Sequence, residues 1–282
     1  MKDLELLAGT LHRDGEDIYW ELVRDAEAGK ADQRPVVVLS HGAGGSHAVW
    51  YQQVLEVGAK YRVLTWDSRG FGNSTNHTGQ LAATDGAHDL AAVLDHLEIA
   101  DAHLVGQSMG GWHISAFLQH YTERTCSLTY ANTAGALWTD DLRKAMEKFG
   151  AAGGLRGNRE LPLVGGHLAL WTGNPDRDVA HAFLYQALGS FYSPPLDRLG
   201  ETLAFEIDHA DFDNLDIPVL FIAGEYDQIF PASMLRDSAN RIRGAHFVEI
   251  PDAGHSPYFE QPQAWNAALL DFLASIDASA AS

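Results

Sequence analysis

Gly106-Gln107-Ser108-Met109-Gly110 follows an apolar run, His103-Leu104-Val105, and leads into a stretch with helical spacing at residues 112–120. A serine on a tight strand-to-helix turn projects its hydroxyl, and glycines two positions to either side make room where neighbouring backbone comes too close for side chains. The helix start also presents free N–H groups to developing negative charge. Alone, G-x-S-x-G is a weak signal. Between a strand and a helix it marks Ser108 as a candidate nucleophile.

Working outward, apolar and β-branched runs bounded by turn residues recur at 35–39, 61–66, 103–105, 128–130, 218–222 and 247–250. Such runs suit parallel strands buried on both faces. Between them lie helical patterns at 87–97, 112–120, 232–242 and 264–273, so the chain alternates as a parallel sheet covered on both sides does. Ahead of the first run, 4–11 and 18–23 flank Arg13-Asp14-Gly15-Glu16 and read as an antiparallel hairpin, which brings the expected sheet to eight strands, mostly parallel. From 135 to 212 the strand rhythm stops. Helical pieces near 140–149, 161–171, 177–191 and 196–205 are broken by Gly153-Gly154, Gly165-Gly166 and Pro194-Pro195. The expected organisation is an α/β core at 1–134 and 213–276, a helical cap at 135–212 inserted between strands, and a small, polar, flexible tail at 277–282.

A serine hydroxyl needs a base to take its proton as it attacks. Of the 14 histidines, His255 stands out because it follows the run at 247–250 through the turn Pro251-Asp252-Ala253-Gly254, on the strand-end edge where α/β sheets place their chemistry. The acid that orients it is expected between Ser108 and His255 in the chain, after another strand. Asp227, in Gly224-Glu225-Tyr226-Asp227 beyond the run at 218–222, is that candidate. Glu225 lies too close to the strand end, and Asp252 suits an Asx-turn. The acid would fix the imidazole tautomer and stabilise the imidazolium that forms during attack. Two backbone donors are expected at the developing oxyanion: the N–H of Met109, and that of Ala43 in the loop His41-Gly42-Ala43-Gly44-Gly45-Ser46. That loop is not a phosphate cradle, since no Gly-Lys-Ser/Thr follows.

The 282 residues are 46% hydrophobic, enough for a large core, and carry 19 Lys+Arg against 38 Asp+Glu. A formal charge of −19 repels phosphates and anionic lipid heads, so neither nucleic acid nor a membrane surface is an expected partner. Cys126 is the one cysteine, which leaves no intramolecular disulfide and no cysteine-based zinc framework; a reducing cytoplasm is the expected location. No stretch approaches the ~18 apolar residues of a membrane span. No metal-ligand spacing such as H-E-x-x-H occurs, and neither metal nor organic cofactor is implied.

Along nearly its whole length the chain resembles the α/β-hydrolase superfamily. The resemblance rests on His41-Gly42, the segment Asp67 to Ser74, Gly106-Gln107-Ser108-Met109-Gly110-Gly111, Gly224-Glu225-Tyr226-Asp227, and Gly254-His255-Ser256-Pro257 with Glu260-Gln261-Pro262 beyond. It implies the α/β-hydrolase fold and the Ser108–Asp227–His255 triad, with Asp67 to Ser74 shaping the site. Ser108 at the elbow departs from the aspartate of epoxide hydrolases and haloalkane dehalogenases. Gln107 and Ser256 stand where ring-fission C–C hydrolases carry Asn and Trp, and the lipase-like HGGG loop is absent. What remains is similar to 3-oxoadipate enol-lactonases, small carboxylesterases and cofactor-free perhydrolases. The expected activity is hydrolysis of a small or medium carboxylic ester or lactone through an acyl-enzyme. C–C hydrolysis of a diketone is the alternative, and a non-catalytic binding protein a remoter one. Trp50, Trp112, Trp138 and Phe230 are the candidate substrate contacts, with Phe149, Trp171 and Phe191 as further aromatic residues on elbow-side loops or in the cap. Arg156, Arg159, Arg177 and Arg198 are possible carboxylate partners.

Overall fold

The structure is a computed structural model that describes residues 3–151, 168–171, 173, 179–189, 194 and 198–280. The chain opens with β1 (Leu4–Arg13) and β2 (Glu16–Asp25), joined by Asp14 and Gly15, both in the left-handed region at φ 51° and 82°. Two consecutive positive φ values match the right-handed twist of a hairpin and set Arg13 opposite Glu16. The remaining strands are β3 (Val36–Ser40), β4 (Arg62–Trp66), β5 (Ala102–Gln107), β6 (Thr125–Ala131), β7 (Val219–Gly224) and β8 (His246–Ile250). The sheet order is β1-β2-β4-β3-β5-β6-β7-β8. Pairing is antiparallel for β1/β2 and β2/β4 and parallel everywhere else. β5, which carries the elbow, therefore lies inside the sheet between two parallel neighbours.

Among the described residues the α-helices are α1 (Val54–Gly58), α2 (Ala83–His96), α3 (Gly110–His120), α4 (Asp140–Ala151), α5 (Val179–Leu188), α6 (Leu199–Leu203), α7 (Ala232–Asn240), α8 (Pro257–Glu260) and α9 (Pro262–Ala280). Alternate strand residues feed two apolar layers. Val36, Val38, Leu104, Leu128 and Phe221 pack toward α2, α3 and α7, while Val37, Leu39, Val105, Leu220 and Ile222 pack toward α1, α8 and α9. Each fully buried aliphatic side chain contributes about 1.5–3 kcal/mol, so the two layers together fix the register.

The six interior runs and the hairpin form strands as expected. α2 begins ahead of the expected 87 because Asp85 reaches back to accept the Ala82 N–H at 3.0 Å, closing the first turn. The short α1 and α8 carry too few residues to show a period. The last helix runs on through Ala280, where a loose tail was expected from 277; the Tyr61 hydroxyl donates to Asp277 at 2.7 Å and holds that turn down. Between β6 and β7, α5 and α6 fall within the expected helical pieces, and α4 begins where expected and runs two residues further, to Ala151. Residues 168–171, the described end of the piece at 161–171, form turn and bend instead, and the rest of that piece lies outside the described residues. No described helix is long and apolar enough to cross a membrane.

Candidate active site

Ser108 sits between β5 and α3 with φ 50°, a conformation that costs a non-glycine residue about 1–2 kcal/mol. The surrounding bonds hold it there. Its N–H donates to the Ala131 carbonyl at 3.1 Å, and its own carbonyl accepts from the Gly111 N–H at 2.9 Å and the Thr133 hydroxyl at 2.7 Å. A Cβ at Gly106 would stand 2.5 Å from the Gly110 carbonyl oxygen, and one at Gly110 would collide with the Ser40 carbonyl. The glycine spacing of the motif thus reflects backbone packed against backbone.

The turn after β8 brings His255 to the same edge. Its Nδ1–H donates to Asp227 Oδ2 at 2.9 Å, and both side chains are buried. Asp227 follows β7. Its Oδ1 accepts the Ile229 and Phe230 N–H groups at 2.8 and 2.9 Å, and its Oδ2 also accepts Asn132 Nδ2 at 2.8 Å. Surrounded by donors, the carboxylate acts purely as an acceptor, so the imidazole proton belongs on Nδ1 and Nε2 keeps its lone pair. The rival acids play other parts. Glu225 is exposed and accepts the Asp252 N–H at 3.2 Å, and Asp252, at φ 53°, shapes the turn.

Ser108, His255, Ala43, Gln107 and Met109 line one cavity of about 720 Å³, its open mouth included. Trp112, Ile229 and Phe230 come from the core, Met146 and Phe149 from α4, Tyr185 from α5, and Leu199 and Leu203 from α6. The lining is apolar apart from Gln107, Tyr185 and the reacting groups. Neither the Ala43 nor the Met109 N–H donates to a described residue, so both are free for a ligand oxygen.

Trp112 and Phe230 are where the sequence reading put them, and Phe149 joins them. Trp50 does not. Its one-turn helix at His47–Trp50 points the indole into the apolar layer on the far side of the sheet edge, 4.8 Å from the Tyr258 ring and 5.8 Å from Trp265. Trp138 stands behind the wall, edge-on to Trp112 at 5.8 Å, with the Arg143 guanidinium over its outer face at 5.3 Å. Trp171 stacks on Tyr226 at 4.1 Å outside the cavity. Arg198 is spent on Glu201 and the Gly79 carbonyl. Arg156, Arg159, Arg177 and Phe191 lie outside the described residues.

Two functional residues escaped the sequence reading. Asn132, at φ 51° just past β6, donates to Asp227 and, at 3.3 Å, to the Gly254 carbonyl, so it ties the acid to the histidine loop. The available signal was a polar residue at the chemical end of a central strand. Glu260 was seen only as part of a motif. It is half-buried, its carboxylate accepts the Gly254 N–H at 2.8 Å and the Trp171 N–H at 2.5 Å, and desolvation pushes its carboxyl up to about 7 against the pull of those donors. Asp67 accepts the His47 and Asn73 N–H groups at 2.6 and 2.8 Å, joining the loops after β3 and β4. Among the described residues no cluster of three or more His, Cys, Asp or Glu is arranged to hold a metal ion.

A family model described as alpha/beta hydrolase fold matches residues 35–262. The chain is 30% identical over 253 residues to the protein named "Putative non-heme bromoperoxidase BpoC" of Mycobacterium tuberculosis, covering 86% of this chain and 95% of that one. It is 28% identical over 248 residues to 3-oxoadipate enol-lactonase 1 of Acinetobacter baylyi, covering 87% and 91%. Among solved structures, a thermophilic esterase from Thermogutta terrifontis superposes with a TM-score of 0.71 at 25% identity, covering 96% of this chain and 99% of its own.

Proposed function

Because this chain belongs to the α/β-hydrolase fold family, we propose that it is a serine hydrolase cleaving small or medium carboxylic esters or lactones. Ser108 Oγ attacks the carbonyl carbon as its proton passes to His255 Nε2, and the Ala43 and Met109 N–H groups receive the oxyanion. The tetrahedral species collapses, His255 returns the proton to the departing alkoxide, and a water molecule deprotonated by His255 then attacks the acyl-enzyme; the acyl–Oγ bond breaks, His255 gives the proton back to Ser108 Oγ, and the acid leaves. Asp227 holds the imidazole in place throughout. The insertion at 135–212 serves as a cap whose helices wall the acyl pocket.

The observation that carries this reading is the convergence of a left-handed serine, a histidine bonded to a buried carboxylate, and two uncommitted backbone N–H groups on one apolar cavity. The enol-lactonase and esterase relatives support it. No Lys or Arg is among the described residues that line the cavity, which favours an uncharged acyl group over a dicarboxylate. The test is hydrolysis of p-nitrophenyl esters of graded acyl length and a panel of lactones by the wild type and Ser108→Ala. Turnover that the variant loses supports the reading. A wild type inert toward all of them, or a variant of equal activity, overturns it and brings C–C hydrolysis of a diketone forward.

A further inference from the structure

We infer that Glu260 is a positioning residue that clamps the two peptide neighbours of His255 to the inserted segment, so that the seating of the pocket wall and the aim of the base are set by one carboxylate. The inference rests on the proposed role of His255 as base. Three strands of contact converge on Glu260. Its Oε2 accepts the N–H of Gly254, the residue before the histidine, and the Ser256 amide, just after it, also favours the charged carboxylate. Its Oε1 accepts the N–H of Trp171, whose neighbours Ala169 and Leu170 line the cavity and join the second apolar layer respectively. The packing leaves no slack between these partners. A Cβ on Gly254 would come 2.8 Å from the Trp171 nitrogen and 3.1 Å from the Leu170 carbonyl carbon. On the far side, the Gly254 carbonyl is taken by Asn132, which also holds Asp227.

A glutamine at 260 places an NH2 donor where one of the two carboxylate oxygens stands, so with Trp171 on Oε1 and Gly254 on Oε2 one of the two N–H groups would face a donor. The groups facing Glu260 favour its neutral form. Asp227 lies near enough to repel it, the Tyr185 and Tyr258 phenols beside it are themselves held protonated by burial, and no basic side chain among the described residues counters the cost of burial. With its carboxyl pushed up to about 7, the clamp tightens as Glu260 ionises and slackens as the pH falls. The ionisation of Glu260 as clamp therefore adds a step to the acid side of the rate profile.

The experiment compares wild type, Glu260→Gln and Glu260→Asp by kcat and KM for p-nitrophenyl butyrate across pH 5 to 9, with circular dichroism and thermal melting as controls for folding. The deshielded proton of His255 Nδ1, assigned by its loss in His255→Asn, is followed by NMR in the same proteins. The expected result is a folded Glu260→Gln variant whose kcat falls about 10- to 100-fold with little change in KM. Its acid limb changes from a two-proton to a one-proton slope, and its Nδ1 proton signal broadens or moves. If Glu260→Gln does not fold, Glu260→Asp, which keeps the charge but retracts it, is expected to show the same kcat loss while keeping the two-proton limb. Unchanged kcat and an unchanged Nδ1 signal in a folded variant overturn the inference, as does a lower melting temperature with an unaltered pH profile. If wild type hydrolyses no ester, the functional proposal fails, while the NMR signal still decides whether Glu260 sets the histidine.

Discussion

Among the described residues, two histidine–aspartate pairs share the same 2.9 Å Nδ1 contact, and they are built for opposite ends. His255 and Asp227 sit at the cavity, and among the described residues nothing bonds to the Nε2 of His255. His47 and Asp67 sit where the loops after β3 and β4 meet; there Nε2 lies 3.5 Å from the Glu21 carboxylate and the ring leans on Tyr19. Although burial opposes it, the pull of Asp67 and Glu21 raises the His47 pKa, so that ring keeps its proton to higher pH than a free imidazole and acts as a bolt between loops. The carboxylates do similar work in both pairs, each accepting backbone N–H groups besides the imidazole. What separates the two pairs is the far nitrogen: among the described residues it has no bonded partner at the cavity in one pair and faces a second acid in the other, and the proposed base is the one left open.

Ser108→Ala is expected to cost about 10⁵-fold or more in kcat for p-nitrophenyl acetate while the protein still melts cooperatively. Asp227→Asn should cost about 10⁴-fold by upsetting the tautomer. Asp67→Asn should instead lower stability by about 1–3 kcal/mol, read from urea unfolding, and reduce kcat less than about tenfold. Equal losses of turnover in the two Asp variants would erase the distinction drawn here. A smaller effect concerns pH. Because folding raises the pKa of His47, the stabilisation from its charged ring is complete below the unfolded value of about 6.5 and is lost as pH rises through the raised folded value. The melting-temperature gap between wild type and His47→Gln should accordingly be widest below pH 6.5 and close toward alkaline pH. Smallest of all, Leu203→Trp should fill the α6 side of the cavity, raising KM for octanoyl esters about tenfold and leaving acetyl esters unchanged.

The elements that the sequence made legible are those whose chemistry is local. The elbow could be read because a left-handed serine among packed backbones demands glycine at 106 and 110, and the strands because burial on two faces demands unbroken apolar runs. Trp50 and Trp112 look alike as letters on elbow-side segments. Only the path of the chain decides that one indole meets Tyr258 and Trp265 while the other meets the cavity. Asn132 and Glu260 were hidden for a related reason. Asp227, the partner of the first, and Trp171, one partner of the second, lie about 90 residues away, at separations that no short spacing encodes. The turn at 168–171 differs from the expected helix because the Trp171 N–H that a helix would use internally is taken by Glu260.

The backbone bonds that run on past the strand ends deserve to be followed into the unfolding reaction. Ser108 N–H reaches Ala131, and Asn132 N–H reaches Ile222 at 2.7 Å, so the tips of β5, β6 and β7 are laced in a row beneath the reacting groups. On the pocket's outer wall burial is thinner: α5 carries no fully buried residue, and Val179, Phe183 and Leu184 on it stand exposed. Local opening is cheapest where burial is least. In a denaturant titration the enzyme should therefore forget how to prefer a long acyl chain before it loses the ability to turn over a short one.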